Sequence, residues 1–107
     1  MRLFYITTPE FWSGEAAAVN YLLRTSDAVL HLRKPKSASF QVEGLLLKIN
    51  PEFYPRIVLH EHFDLCSKFG LRGIHLNSRN NVVPDNHRGT ISVSCHSISE
   101  LAEKKAK

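Results

Sequence analysis

Six histidines and a cluster of basic residues are the side chains in this 107-residue chain best suited to chemistry. His31 and Arg33 end one short apolar run, and Lys34 and Lys36 follow directly. A guanidinium grips phosphate through two parallel hydrogen bonds, and a lysine adds a point charge. Arg33, Lys34 and Lys36 are therefore candidates for holding a phosphorylated ligand. His60-Glu61-His62 ends a second run. A carboxylate at Glu61 could hold Mg2+ beside a substrate phosphate. The two histidines beside it raise zinc, but their spacing matches no strong zinc signature, so Glu61 is expected to make the metal contact. His75 and Asn77 end a third run, and Ser92, Ser94 and His96 share one parity in a fourth. An imidazole at His96 could move protons near neutral pH, and the amides of a helix starting at Ser97 could hold a phosphate. Each stretch alone reads equally well as the ordinary polarity of a strand meeting a loop. It is their agreement that points to a site.

The elements that would position these groups alternate. Leu3 to Thr7 is β-rich, and a helix follows with Trp12, Ala16, Val19 and Leu23 on one stripe. Ala28 to Leu32 is a strand. Ser37 or Ser39 then caps a helix carrying Val42, Leu45, Leu46 and Ile49, which Asn50-Pro51 ends. Arg56 to Leu59 is a third strand, and a short helix with Phe63, Leu65, Cys66 and Phe69 stops at Gly70. Gly73 to Leu76 and Thr90 to Cys95 are further strands, separated by a polar loop. Ser97-Ile98-Ser99-Glu100 opens a last helix as a capping box.

This order predicts an α/β fold with a parallel sheet built from βαβ units. A doubly wound sheet would show a glycine-rich first turn, whereas Thr7-Thr8-Pro9-Glu10 has no glycine. A TIM barrel needs no such turn, since its active site is assembled from loops at the C-terminal ends of the strands. A full barrel takes roughly 250 residues. The expectation is thus a single domain over 1–107, an incomplete (βα)8 barrel with about five strands. Tyr5, Val29 and Ile57 or Val58 are expected to face its lumen, with the polar strand ends above them. Left open, such a chain is expected to self-associate or to need a complementing chain, and to be inactive alone.

Composition narrows the function classes. The net charge is +4 with a pI near 9.3, which suits an anionic ligand. No RNA-binding signature accompanies the basic residues, so nucleic acid is not expected as a partner. No apolar run approaches a membrane span, and Pro9-Glu10 follows the first apolar stretch at once, so neither membrane nor signal peptide is expected. Cys66 and Cys95 lie far apart and read as reduced thiols, which suggests the cytoplasm.

At the strand ends the chain resembles the thiamine phosphate synthase and thiazole tautomerase family of small (βα)8 barrels. His31-Leu32-Arg33-Lys34-Pro35-Lys36 resembles that family's Gln-Leu-Arg-x-Lys diphosphate grip, and Arg33 matches it directly. His60-Glu61 stands at the family's Asn-Asp. Gly73-Ile74-His75-Leu76-Asn77-Ser78-Arg79-Asn80 resembles Gly-x-His-Leu-Gly-Gln-x-Asp, and Ser92-Val93-Ser94-Cys95-His96 resembles Gly-x-Ser-x-His. The resemblance runs the length of the chain.

The resemblance implies a transferase of thiamine biosynthesis that joins an aminopyrimidine diphosphate to a thiazole phosphate. Arg33, Lys34 and Lys36, with His31, His60, His75 and Ser94, would bind the small phosphorylated substrates. Glu61 and Asn80 would hold Mg2+, and His96 would be the catalytic group. A tautomerase using His96 as acid and base is the alternative within the family. A truncated, non-catalytic module that binds a phosphorylated ligand is the alternative outside it.

Overall fold

The computed structural model describes residues 3–77, 81–85, 87 and 89–93. Its elements are β1 (Phe4–Ile6), α1 (Glu15–Thr25), β2 (Val29–Leu32), α2 (Ser39–Leu47), a 3-10 turn (Pro51–Arg56), β3 (Ile57–Leu59), α3 (Asp64–Phe69), β4 (Gly73–Leu76) and β5 (Thr90–Val93). The five strands are parallel, in the order β1-β2-β3-β4-β5. A doubly wound sheet reverses its strand order at a switch point, and a barrel does not. Sequential order therefore favours the barrel-like arrangement. Among the described residues no helix is long and apolar enough to cross a membrane.

Each strand divides its side chains by parity. Leu30 and Leu32, Ile57 and Leu59, and Ile74 and Leu76 join one buried core with Val19, Leu23, Val42, Leu46, Leu65 and Cys66 from the helices. Burying one such aliphatic side chain stabilises the fold by about 1.5–3 kcal/mol before entropy is counted. The opposite parity, Val29, His31, Val58, His75 and Ser92, lines the lumen side with Phe4 and Ile6. This corrects the expectation for Tyr5. Its register partner is Leu30, on the helix-facing side, so Tyr5 lies against α1 instead.

Local chemistry explains the element ends. Gly14 adopts φ 86°, turns the chain and starts α1, with acidic Glu15 in the first turn where the helix dipole favours it. Trp12, expected on the helical stripe, precedes that turn and is mostly exposed. Neither Ser37 nor Ser39 caps α2. The N-cap is Ala38, whose N–H donates to Gln41 Oε1 at 2.8 Å, while Ser37 Oγ donates to the Lys34 carbonyl. Gly70, at φ 68°, ends α3 as its sequence position predicts.

Arg56 fastens the start of β3 to the preceding α1–β2 turn. Its guanidinium donates to the carbonyls of Leu23 at 2.7 Å, Ser26 at 2.6 Å and Ala28 at 3.1 Å. Arg56→Ala is expected to lower the unfolding free energy by about 2 kcal/mol, because charged donors leave three carbonyls together. Urea denaturation followed by circular dichroism checks this, and a midpoint equal to wild type would show that water replaces the guanidinium at no cost.

Candidate active site at the strand ends

Three adjacent strands deliver an imidazole each to the lumen side. His31 lies in β2, His60 follows β3 and His75 lies in β4. The spacing works because parallel neighbours lie about 4.8 Å apart and present the same parity to the same face. His31 Nδ1 and His60 Nε2 are 2.9 Å apart, so one donates to the other. The rings of His60 and His75 stack at 4.4 Å between centroids, and His31 meets them edge-on at 5.1 and 5.7 Å. His75 Nδ1 lies 2.7 Å from Ser92 Oγ on β5. One possible ligand nitrogen from each of the three rings lies within 4.8 Å of the other two. Burial, then the neighbouring His75 and the charge of Arg72, push the pKa of His31 below the usual histidine value. The ring therefore favours its neutral form, with a lone pair on one nitrogen.

Of these rings, His31 and His75 line a cavity of about 330 Å³, walled by Phe4, Ile6, Val29 and Val58 and edged by Arg72, Thr90 and Ser92. That is the lower end of the range for small-molecule sites. The sequence pattern does not reveal Arg72, because it precedes its strand rather than following one.

The basic run divides in two. Arg33 has the parity of His31, and its backbone is pinned by Thr7, whose Oγ1 accepts the Arg33 N–H at 3.0 Å. Lys34 turns the other way and is completely buried. Its Nζ donates to Glu15 Oε2 at 2.6 Å and to the carbonyls of Thr8 at 2.8 Å and Glu10 at 2.6 Å, and it lies over the Phe11 ring. The expectation that Lys34 contacts diphosphate is corrected by this placement. Its donors are spent on tying the β1–α1 loop to β2. Lys36 is exposed.

Glu61 is buried, and its Oε1 accepts the Lys34 N–H at 2.7 Å. Asn77 Nδ2 donates to the His60 carbonyl at 3.1 Å and fixes the end of β3 against β4. Asn80, Ser94, Cys95, His96 and the capping box at Ser97–Glu100 lie outside the described residues.

No protein-family model matches the chain, and no curated protein matches it. Among solved structures it is similar to a thiamine phosphate pyrophosphorylase from Bacteroides thetaiotaomicron, with a TM-score of 0.88 and 42% sequence identity. The match covers 99% of this chain and 54% of that chain, so this chain spans about half the length of the solved protein. Its five parallel strands and their helices thus form part of a TIM-barrel-like fold of the thiamine phosphate synthase type.

Proposed function

From that likeness, we propose that the chain acts in thiamine biosynthesis as part of a transferase that joins an aminopyrimidine diphosphate to a thiazole phosphate. The observation that carries this reading is 42% identity across 99% of the chain to a protein described as a thiamine phosphate pyrophosphorylase. The polar ends of β2, β3 and β4, gathered at one mouth, support it.

The chemistry assigned to this chain's own residues is electrostatic. As the bond between the pyrimidine methylene carbon and the diphosphate oxygen breaks, negative charge grows on the leaving group. A fixed cation stabilises that charge more than it stabilises the bound substrate, which lowers the barrier. Arg33, just past β2 on the parity of His31, is the cation assigned this work by the reading, and exposed Lys36 would add to the field around the mouth. Lys34 acts indirectly by fixing the loop that borders the site. His31, His60 and His75 would line the substrate pocket.

Magnesium is given no step. It demands near-octahedral oxygen ligands. Glu61 is 6% exposed, with one carboxylate oxygen held by a backbone amide, and the side chains that converge at the mouth are imidazoles.

Two measurements test the reading. Incubation of the purified chain with the two thiamine precursors is expected to give no useful turnover, and clear product from the chain alone would overturn the reading of it as part of a larger site. Calorimetry with pyrophosphate asks for the anion site. Arg33→Ala is expected to weaken pyrophosphate binding by about 1.5–3 kcal/mol, the scale of charge-assisted hydrogen bonds. Equal affinity in the variant would return Arg33 to a solvated loop.

A further inference from the structure

We infer that His31, His60 and His75 form a binding site for a borderline divalent transition metal, Zn2+ in the first instance, with an open coordination position facing the cavity. The inference is independent of the transferase reading, because it rests on the donor set alone.

The first argument is convergence. The three histidines are far apart in sequence, yet one nitrogen of each lies within 4.8 Å of the other two. Zinc–imidazole bonds are about 2.0–2.1 Å long, which puts the nitrogens of a tetrahedral site about 3.3 Å apart. The His31–His60 pair, at 2.9 Å, is already near this separation.

The second argument is protonation. A ligand imidazole must be neutral, with its lone pair toward the metal. At His75, Ser92 Oγ lies 2.7 Å from Nδ1 and accepts its proton when the serine hydroxyl hydrogen points to the Ile74 carbonyl at 3.4 Å. That leaves Nε2 as the unprotonated nitrogen, the arrangement in which an outer partner orients a metal-binding histidine.

The third argument is selectivity. Three nitrogens suit Zn2+ and its neighbours in the first transition row, whereas Mg2+ is a poor match. Three protein ligands with space for a fourth is the pattern of a catalytic rather than a structural zinc site. The open position would face the cavity beside Arg72, where an anionic oxygen of a ligand could complete the coordination.

The test uses the purified full chain, stripped with chelator and dialysed. Titration with zinc chloride by calorimetry, with metal content from plasma mass spectrometry, is expected to give one Zn2+ per chain. Co2+ in its place is expected to show the intense visible absorption of a four- or five-coordinate nitrogen site. His60→Asn and, separately, His75→Gln are each expected to weaken Zn2+ binding by more than about 100-fold, beyond the 10–100-fold typical of an outer-shell partner. His62→Asn, outside the cluster, is expected to leave affinity unchanged. Circular dichroism establishes that each variant is folded, and the cobalt spectrum of the unaltered chain gives an answer even if one variant is not. No Zn2+ uptake, a six-coordinate cobalt spectrum, or equal affinity in folded His60→Asn would overturn the inference. Thiamine precursors are absent throughout, so the outcome is separate from that of the transferase assay.

Discussion

Lys34→Met should lower the unfolding free energy by about 3–5 kcal/mol, the usual cost of removing one partner from a buried ion pair. Lys34 is 0% exposed and Glu15 4% exposed, so the methionine would leave a carboxylate stranded among apolar neighbours. Glu15 Oε1 already lacks a hydrogen-bond partner among the described residues, and the variant would remove the donor from Oε2 as well. The carbonyls of Thr8 and Glu10 would lose their donor at the same time. Combining Lys34→Met with Glu15→Leu should recover much of the loss, because replacing a whole buried pair by apolar groups is often neutral. Guanidinium denaturation of the two single variants and the double variant closes the cycle. Additive single effects would mean that the pair is solvated and uncoupled.

Gly73→Ala should cost about 3 kcal/mol or more, at the upper end of the overpacking range. A Cβ at Gly73 would collide with the Thr90 carbonyl oxygen and, closer still, with its Oγ1. Backbone cannot give way as the tip of a flexible side chain can. The β4–β5 pairing would therefore have to open, although it currently matches Gly73 with Thr90 and His75 with Ser92. Thermal denaturation reads the cost. Amide exchange at Ile91 and Ser92, faster than in wild type by more than at β2, would localise it to this strand pair. A melting temperature within a degree of wild type would show that β5 can slide away from β4 freely.

Much of the scaffold was legible in the sequence. Apolar runs bounded by turn residues placed the five strands to within one or two residues, because periodicity is local information. The side-chain parity of β2 and β4 followed from the same two-residue period. β1 escaped this reading. With only three residues, all apolar or aromatic, it offers no polar residue to mark its outer face. Its register against Leu30 and His31 had to come from the folded sheet.

The site was harder to read, for two different physical reasons. A lysine in a basic run looks solvated or ligand-bound, and nothing in the run itself says that Glu15 and two carbonyls wait on the far side of β2 to bury it. The three histidines are legible as polar strand ends, but not as one metal-binding set, for the opposite reason. Metal signatures are recognised by short spacings, whereas these three residues come from three strands and meet only through sheet stagger. His31 pairs in register with Val58, two residues short of His60, and only the splay of the long rings closes that gap.

The sequential strand order also bears on how the chain tolerates insertion. Among the described residues, each strand hydrogen-bonds only to the strands before and after it in the sequence. Lengthening one connection therefore alters a single loop closure and leaves every other pairing at its original separation along the chain. Closure entropy grows only logarithmically, about 0.6 kcal/mol for each doubling of a flexible loop. The connection between β4 and β5, which contains no helix among its described residues, can thus be varied at low thermodynamic cost. The α1–β2 turn cannot, because Arg56 holds three of its carbonyls in fixed positions. Length variation among homologous chains should accordingly collect in the first connection and be scarce in the second.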